Sequence, residues 1–330
     1  MLLLTRSDVQ RALTMGEAVE IIRRAFSELS TGQAVVPRRL ALPREEHDGV
    51  TLFMPGYLPA SDALTVKIVS VHHRNRERNL PLIYALVVVI DPATGRPIAA
   101  MEGSYLTALR TGAASGVATD LLARRDSEVA AIIGAGTQAR AQIIAIAAVR
   151  LIKRFLIYDR HPEKIQALIA EARTQMDPSI ELLAARSASE AVREAQVICT
   201  VTTSRTPVFD GADLQPGTHI NAIGSYTPEM QEVDCATLRR AAKIVVDSRE
   251  GALSEAGDLL VALGQGAIQM SDIYGEVGEI AAGLKPGREN DQEITYFKSV
   301  GNAAQDAAVA HAICQQSLKE GLGLEFDLLA

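Results

Sequence analysis

The chain has 330 residues, of which 48% are hydrophobic and 22% charged, and its formal net charge is −7. This composition is typical of a globular protein with room for two domains, and the lack of a Lys/Arg-rich run argues against nucleic acid as the main partner. We expect no membrane partner, because no apolar stretch reaches membrane-spanning length, and no secretory signal, because the N-terminal leucines give way to Arg6 and Asp8.

The three cysteines and six histidines are scattered along the chain. Cys199, Cys235 and Cys314 form no Cys-x-x-Cys pair, which is typical of reduced thiols in a cytoplasmic protein. The histidines form no HExxH motif and no cluster with cysteine. We therefore predict a cytoplasmic protein without a metal site.

The first third of the chain is rich in predicted strands. Thr14 and Glu17 have capping-box spacing and begin a predicted helix over residues 14–31. A second helix is predicted over residues 105–123. Between the two helices, five segments have the alternation and turn signals of strands: VVPRRLAL, VTLFMPGYL, ALTVKIVSV, PLIYALVVVI and PIAAMEG.

A glycine-rich turn follows the next apolar run. Val129–Ile133 leads into Gly134-Ala-Gly136-Thr-Gln-Ala139, then a helix-period segment, then an apolar run that ends in Asp159. Strand, glycine turn, helix, strand and acid in this order predict a dinucleotide-binding βαβ unit. Gly134 permits the tight turn, Gly136 lets the backbone approach a pyrophosphate, and the helix N-terminus offers N–H groups to it.

The residues at the end of the second apolar run bear on cofactor choice. Asp159 can accept hydrogen bonds from both ribose hydroxyls and would repel a 2′-phosphate, which favours NAD(H). Arg160 could accommodate such a phosphate, so NADP(H) stays possible.

From residue 128 to about 300, predicted strands alternate with helices, which is typical of a parallel sheet covered on both faces. The last predicted helix, near 302–319, is expected to return to the first domain. We predict an α/β protein with a Rossmann dinucleotide-binding domain over 123–302. Residues 1–122 and 303–330 would form a strand-rich α+β domain for substrate binding and dimerisation. That domain has few helices to cover its sheet, so a second copy is expected to do so in a homodimer.

Three cations stand out in the predicted first domain: Arg39, Lys67 and Arg110. Lys67 lies within an apolar strand, and Arg110 lies in a helix of small and apolar residues, where an unpaired charge is costly. Singly, each could be a strand-edge lysine or a structural ion pair. Together with a nucleotide site, they suit an α-carboxylate, which arginine grips in a bidentate manner and lysine contacts as a point charge.

Several long motifs make the chain resemble the ornithine cyclodeaminase/mu-crystallin family: VVPRRLALP, DALTVKIVSV, MEGSYLTALRTGAAS, GAGTQA, PGTHINAIGSYTPEMQEVD, YGEVGEIAAGLKPG and FKSVGNAAQD. The resemblance implies a dimerising substrate domain plus a Rossmann domain. It places substrate-carboxylate contacts on Arg39, Lys67 and Arg110. The cofactor contacts that it implies fall on Thr111, Thr137, Gln138, Asp159, Thr202 and Ser299.

The chain departs from ornithine cyclodeaminases proper at two acidic positions. Leu52 stands where those enzymes have a glutamate, and Tyr226 stands where they have an essential aspartate. Cyclodeamination needs a base to deprotonate the δ-amine, and without these carboxylates no obvious base remains. We therefore predict little or no cyclodeaminase activity. Tyr226 could donate a hydrogen bond to substrate or be a packing aromatic.

The resemblance to the reductase branches of the family implies NAD(P)H-dependent reduction of cyclic imino acids, Δ1-pyrroline-2-carboxylate and Δ1-piperideine-2-carboxylate. Arg39 and Arg110 would clamp the carboxylate, while Lys67 would orient it or supply a proton. The alternatives are a small amino acid (alanine) dehydrogenase, an ornithine cyclodeaminase and a crystallin-like binding protein without activity. Asp306 is interpreted as a capping or hydrogen-bonding residue of the last helix.

Overall fold

A computed structural model describes residues 1–327, apart from the Arg76 side chain, and its chain divides into two compact units. The first unit contains Met1–Arg110 and the segment from Asn302, and the second contains Thr111–Gly301. The domain boundaries expected from the sequence, 122/123 and 302/303, stay a prediction, and residues 328–330 lie outside the described part.

The strands and helices are numbered in chain order. The strands are β1 Leu2–Leu4, β2 Leu40–Arg44, β3 Gly49–Leu58, β4 Ala63–His72, β5 Ile83–Ile90, β6 Pro97–Glu102, β7 Val129–Ile133, β8 Arg154–Tyr158, β9 Glu181–Ala184, β10 Val197–Thr200, β11 His219–Ala222, β12 Lys243–Val246, β13 Ile273–Glu276, β14 Thr295–Lys298 and β15 Leu324–Glu325. The helices are α1 Arg6–Ala12, α2 Met15–Ser30, α3 Gly103–Leu122, α4 Ala139–Val149, α5 Pro162–Arg173, α6 Ala188–Glu194, α7 Cys235–Arg240, α8 Arg249–Glu255, α9 Gly257–Gly264, α10 Val277–Ala281 and α11 Ala303–Glu320.

The first unit is built on a seven-stranded sheet of order β15-β1-β6-β5-β4-β3-β2. Strands β2 to β6 pair antiparallel, and α11 packs on β3 and β4 beside α2. Along β4, side chains alternate between buried and half-buried, and Thr65, Lys67 and Val69 belong to the buried series. The last helix, α11, belongs to this unit. The capping box of Thr14 and Glu17 at the start of α2 is also present.

The opposite face of this sheet carries a row of apolar side chains across four strands. Leu40 pairs with Phe53, Phe53 with Ile68, and Ile68 with Leu86. Leu40 is 58% exposed and Leu86 43% exposed. In the row beside it, Leu42 and Tyr84 are also exposed. A single chain therefore leaves a broad apolar sheet face open.

One predicted strand of the first unit begins later than expected. In the segment predicted as a strand from residue 35, Val35 makes only an isolated bridge with Tyr57, and β2 begins at Leu40. Pro37 lies between them and has no N–H to donate to a ladder, which is the physical reason for the shorter strand.

The second unit is an eight-stranded sheet of order β13-β12-β14-β11-β10-β7-β8-β9, in which every pairing is parallel. The predicted α/β class with a Rossmann-type parallel sheet is confirmed. Strands β13 and β14 were not expected, because IYGE and TYFK are four residues long and lack a continuous apolar run. None of the helices in residues 1–327 has the length and apolar character that a membrane crossing requires.

Candidate functional site

The glycine turn of the second unit connects β7 to α4 and needs glycine at its first position. Gly134 has φ +107°, and its N–H donates to the Tyr158 carbonyl at 2.7 Å. A Cβ at this position would lie 2.8 Å from both the Thr202 Cγ2 atom and the Val201 carbonyl oxygen. Both the backbone conformation and the close approach therefore exclude a side chain.

The second glycine of the turn is different, because a Cβ on Gly136 would meet no protein atom within 4 Å. Gly136 and Thr137 are exposed, whereas Ala139 is buried where α4 begins. The N-cap residue of α4, Gln138, makes no side-chain capping bond. The Ala139 N–H donates to the Gly136 carbonyl at 3.0 Å, and because no side chain of Gln138 caps the helix start, this helix N-terminus is favourable for an anion.

Asp159 lies directly after β8 and is held against the turn by two backbone amides. Its Oδ2 accepts the Ala135 N–H at 2.8 Å, and its Oδ1 accepts the His161 N–H at 2.9 Å. A carboxylate has about four acceptor positions, so capacity remains for hydroxyl donors. The half-buried Asp159 is therefore fixed in orientation, while Arg160 beside it is exposed.

A buried glutamate joins the loops after β10 and β11. Glu232 Oε1 accepts the Thr202 N–H at 2.6 Å, and Oε2 accepts the N–H groups of Gly224 at 2.7 Å and Ser225 at 3.1 Å. Complete burial raises the pKa of the Glu232 carboxyl above its usual range. The Thr202 side chain also lies directly beside Gly134. By binding the Thr202 amide, Glu232 therefore fixes one wall of the glycine turn.

A second buried carboxylate holds Glu232 in place. Asp258 Oδ1 accepts the Glu232 N–H at 2.6 Å, and its Oδ2 lies 2.9 Å from Lys298 Nζ. Both side chains of this ion pair are fully buried. Sequence reasoning missed Glu232 and Asp258, because their partners are backbone amides and a lysine on other strands.

The segment after β14 is held in the same manner. Asp247 Oδ2 accepts the Ser299 Oγ–H at 2.8 Å and the N–H groups of Val300 and Gly301. Burial raises the pKa of the Asp247 carboxyl.

Tyr226, in the loop after β11, is 37% exposed, and burial of the remainder raises the pKa of its hydroxyl.

The predicted cofactor residues thus share one edge of the second unit's sheet, since parallel strands end on the same side. The turn residues, Asp159 and Thr202 belong to the ends of the neighbouring strands β7, β8 and β10. Ser299 and Tyr226 follow β14 and β11, next in order. Thr111 is buried within α3. No group of His, Cys, Asp or Glu in residues 1–327 is arranged to hold a metal ion.

In the first unit, two of the predicted cations meet around one buried carboxylate. Lys67 Nζ lies 2.7 Å from Asp306 Oδ2, and Arg110 Nε lies 3.0 Å from Asp306 Oδ1. Arg110 Nη1 also donates to Gln305 Oε1 at 2.7 Å. The Lys67 side chain is 2% exposed and that of Asp306 is fully buried.

The interpretation of Asp306 as a capping or hydrogen-bonding residue of the last helix is wrong. Asn302 is the N-cap of α11, and Asp306, one turn further on, is the ion-pair partner of both Lys67 and Arg110. One signal in the sequence pointed to this role. Two cations among apolar residues require a carboxylate, and Asp306 is the one acidic residue of α11 before Glu320 at the end of that helix.

The charges in this cluster do not cancel. Burial lowers the pKa of Lys67 to about 8, Asp306 opposes this shift, and the charges of Arg110 and Arg39 add to it. Arg39, which is half-buried, is thereby close enough to act on Lys67. Two cations, Lys67 and Arg110, share one carboxylate, so the pair keeps an excess of positive charge that suits an anion.

An apolar patch lies beside the cations. Met54 pairs with Lys67 across β3 and β4, and Leu52 pairs with Val69 two residues further along. Met54 and Val69 pack with Ala303 of α11, and Leu52 packs against this group. The position of Leu52 therefore adds a hydrocarbon surface, and no acid, to the buried face that carries Lys67.

The chain is therefore a two-unit protein of the Rossmann-type α/β class. One unit has parallel strands with a glycine turn at their carboxyl edge, and the other has a cation cluster that attracts anions. The chain belongs to the ornithine cyclodeaminase/mu-crystallin family, whose model matches residues 1–321. This confirms the family expected from the motifs.

Three relatives illustrate the similarity. The chain is 40% identical over 327 residues to a Δ1-pyrroline-2-carboxylate reductase of Bacillus cereus, covering 99% of this chain and 100% of the relative. The structure of the Thermococcus litoralis Δ1-pyrroline-2-carboxylate reductase with NADH and L-proline has a TM-score of 0.94, at 44% identity and with 99% and 100% of the two chains covered. An archaeal alanine dehydrogenase dimer with bound NAD has a TM-score of 0.91, at 37% identity and with 100% and 99% covered.

The two glycines of the turn make opposite predictions for stability. Gly134→Ala forces a side chain into a left-handed conformation and into Thr202, so we expect a loss of about 1–3 kcal/mol in the free energy of unfolding. Gly136→Ala meets open space and should unfold as the wild type does. Denaturant unfolding of both variants measures this, and equal stability of the two would contradict the geometry described.

Proposed function

We propose that this protein is an NADH-dependent reductase of cyclic imino acids, which converts Δ1-pyrroline-2-carboxylate or its six-membered homologue to the corresponding cyclic amino acid. The observation that carries the proposal is the buried cluster of Lys67, Arg110 and Asp306, with Arg39 nearby. The family relatives support it, since Δ1-pyrroline-2-carboxylate reductases are similar over the whole chain.

The cations would bind the substrate through its carboxylate. Arg110 donates a hydrogen bond from Nη1 to Gln305, and its Nε forms an ion pair with Asp306 that does not have hydrogen-bond geometry. The two contacts together orient the guanidinium. Arg39 and Arg110 would grip the carboxylate oxygens, and Lys67 would add a point charge. Holding the acid group in one orientation holds the adjacent C=N carbon as well, which is the positioning that a bimolecular hydride transfer requires.

The ring of the substrate would lie against Leu52, the half-buried residue that packs against the buried Met54 and Val69. A ring of methylene groups gains from contact with hydrocarbon, whereas the free amine of a diamino acid would find no acid at position 52. This argues against cyclodeamination. It also favours a ring over free ammonium as the nitrogen source, which ranks alanine dehydrogenase second.

Lys67 is the residue suited to handle a proton. Its pKa of about 8 lies close to neutral pH, so it is mostly charged at pH 7 and can still give up its proton. In this role it would protonate the amino acid nitrogen after reduction, or keep the imine nitrogen protonated while hydride arrives.

The dinucleotide would be held by the carboxyl edge of the second unit's sheet. When bound, NADH supplies the hydride. Gly134 and Gly136 would let the backbone approach the pyrophosphate, Asp159 would accept the ribose hydroxyls, and Thr137 and Gln138 would contact the phosphates at the start of α4. Thr111, Thr202 and Ser299 are the further proposed contacts, with Arg160 at the rim.

A side-by-side assay tests the function. NADH oxidation is followed with Δ1-pyrroline-2-carboxylate, with Δ1-piperideine-2-carboxylate and with pyruvate plus ammonium, and NAD⁺ is incubated with ornithine in parallel. We expect the cyclic imines to be reduced with the highest kcat/KM and ornithine to give no proline. Turnover of pyruvate and ammonium alone would favour the dehydrogenase, and inactivity toward every substrate would favour a binding protein.

Removing the fixed guanidinium should impair catalysis. Arg110→Met leaves Asp306 with one cation and the substrate carboxylate with one grip fewer, so kcat/KM should fall by the equivalent of about 2–4 kcal/mol, which is roughly 30- to 1,000-fold. Steady-state kinetics with the cyclic imine measure this loss. Unchanged kinetics would remove Arg110 from the proposed clamp.

Asp159 should decide between the two nicotinamide cofactors. In Asp159→Asn the repulsion of a 2′-phosphate is gone, while the amide oxygen can still accept one backbone N–H. We expect the ratio of kcat/KM for NADH to that for NADPH to fall by roughly tenfold or more. A wild-type preference for NADPH, or an unchanged ratio in the variant, would show that another residue selects the cofactor.

We also propose that the protein is a homodimer and that the partner covers the open face of the first unit's sheet. The row of Leu40, Phe53, Ile68 and Leu86 is the apolar surface that would be buried. Apolar rows of this extent on a monomer are uncommon and mark association sites. The archaeal alanine dehydrogenase, a dimer, supports the proposal.

A charged residue introduced into this apolar row should dissociate the proposed dimer. Leu86→Lys places an ammonium at the β5 end of the apolar row, where Leu86 is 43% exposed. Sedimentation should therefore change from twice the 35.3 kDa chain mass to one chain mass. Leu151→Lys is the matched control, because Leu151 is an 89% exposed leucine of the second unit. The proposed surface is wrong if Leu86→Lys sediments like the control and the wild type.

A further inference from the structure

Asp306 is a carboxylate on which two elements of the first unit each place a cation. Lys67 approaches it from β4 and Arg110 from α3, and each ion pair uses a different carboxylate oxygen. Asp306 is completely buried, so no solvent screens these contacts. Its neighbour Gln305, also completely buried, binds a second nitrogen of the same guanidinium.

We propose that Asp306 is a positioning residue, which keeps Lys67 charged and sets the orientation of Arg110 so that both can bind the acid group of the substrate. This inference rests on the proposed function. It assigns to Asp306 no contact with the substrate and no part in proton transfer.

The charged groups around Lys67 explain why it needs this partner. Asp306 of α11, Arg110 of α3 and Arg39 before β2 face it, while the neighbouring strands β3 and β5 offer Met54 and Val87. Burial and both arginines favour the neutral amine, and Asp306 alone among these groups favours the ammonium. Without the carboxylate, Lys67 would release its proton at a lower pH than it does now.

The geometry of Arg110 gives the second half of the argument. Nη1 donates to Gln305, whereas Nε lies 3.0 Å from Asp306 Oδ1 as an ion pair without hydrogen-bond geometry. Within residues 1–327, Nη2 has no protein acceptor. A structural ion pair commonly uses two guanidinium nitrogens on one carboxylate. Here the carboxylate is shared with Lys67 instead, which leaves donors on both cations for a further anion.

The test is the pH dependence of kcat/KM, which reports the groups of the free enzyme. In the wild type we expect kcat/KM for Δ1-pyrroline-2-carboxylate to fall as pH rises through about 8, because Lys67 loses its charge there. In Asp306→Asn, this alkaline limb should move to lower pH by at least about one unit, and kcat/KM at pH 7 should fall. An unmoved limb overturns the proposal.

Two further variants identify the group whose titration causes the alkaline fall of kcat/KM. In the double variant Lys67→Arg/Asp306→Asn the limb attributed to Lys67 should vanish, because arginine keeps its proton throughout this range; any limb that persists belongs to the substrate. Asp8→Asn removes a largely buried carboxylate of the same unit that pairs with Arg11. It should keep the wild-type limb, and a shifted limb in this control would show that general loss of structure is being measured.

Asp306→Glu keeps the proposal testable if Asp306→Asn does not fold. The negative charge is retained but displaced by one methylene, so the limb should stay near pH 8 while kcat/KM falls at least tenfold through misplaced cations. Wild-type kinetics in this variant would overturn the positioning role.

Binding of pyrrole-2-carboxylate, a flat analogue of the imino acid, separates this inference from the proposed function. Calorimetry at a series of pH values should show the same limb and the same shift in Asp306→Asn. If the wild type binds the analogue with this pH dependence yet reduces no cyclic imine, the function fails and the positioning role stands. If it reduces the imine and the variant's limb is unmoved, the positioning role fails alone.

Discussion

The shared carboxylate of Asp306 is the interaction on which the first unit's chemistry depends. Lys67 and Arg110 are buried among apolar side chains, where two uncompensated cations would be prohibitively costly. One carboxylate reduces that cost without cancelling the charge. The remaining positive charge, with Arg39 beside it, makes the site attractive to a small anion and unattractive to a cation such as a diamino acid side chain.

In the second unit, buried carboxylates instead fix the conformation of the loops at the carboxyl edge of the sheet. Backbone amides of Thr202, Gly224 and Ser225 all donate to Glu232, and those of Val300 and Gly301 donate to Asp247. Buried carboxylates thus replace the hydrogen bonds that a strand would have given these segments. A nucleotide that binds to preordered amides loses less entropy than one that must order them.

The sequence predicted best what is local and chemically narrow. The order of apolar run, Gly134, Gly136, helix and Asp159 leaves few structures other than a βαβ turn, and the parallel sheet around it is confirmed. The family was likewise evident from long motifs. The roles of Arg39, Lys67 and Arg110 stay predictions, although the structure does bring Lys67 and Arg110 together around one acid.

What the sequence could not predict depends on distant partners or on weak local signals. Asp306 was misinterpreted because a carboxylate near a helix start caps it more often than it pairs with a strand residue far away in the chain. Glu232 carries no motif, since backbone amides leave no trace in a sequence. Strands β13 and β14 are too short to show a period. Pro37 delays the start of β2 to Leu40, although the apolar residues around it suggested a strand from residue 35.

The position of α11 near the end of the chain has a consequence for synthesis on the ribosome. Strands β3 and β4 are made early, but the helix that covers them, which carries the acid that pairs with Lys67, emerges only after the second unit. The intervening residues 111–301 have all of their own strands and can fold as soon as they leave the exit tunnel. In nascent chains the second unit should therefore fold first. The sheet of the first unit should stay incompletely covered, and accessible to chaperones, until α11 has been synthesised.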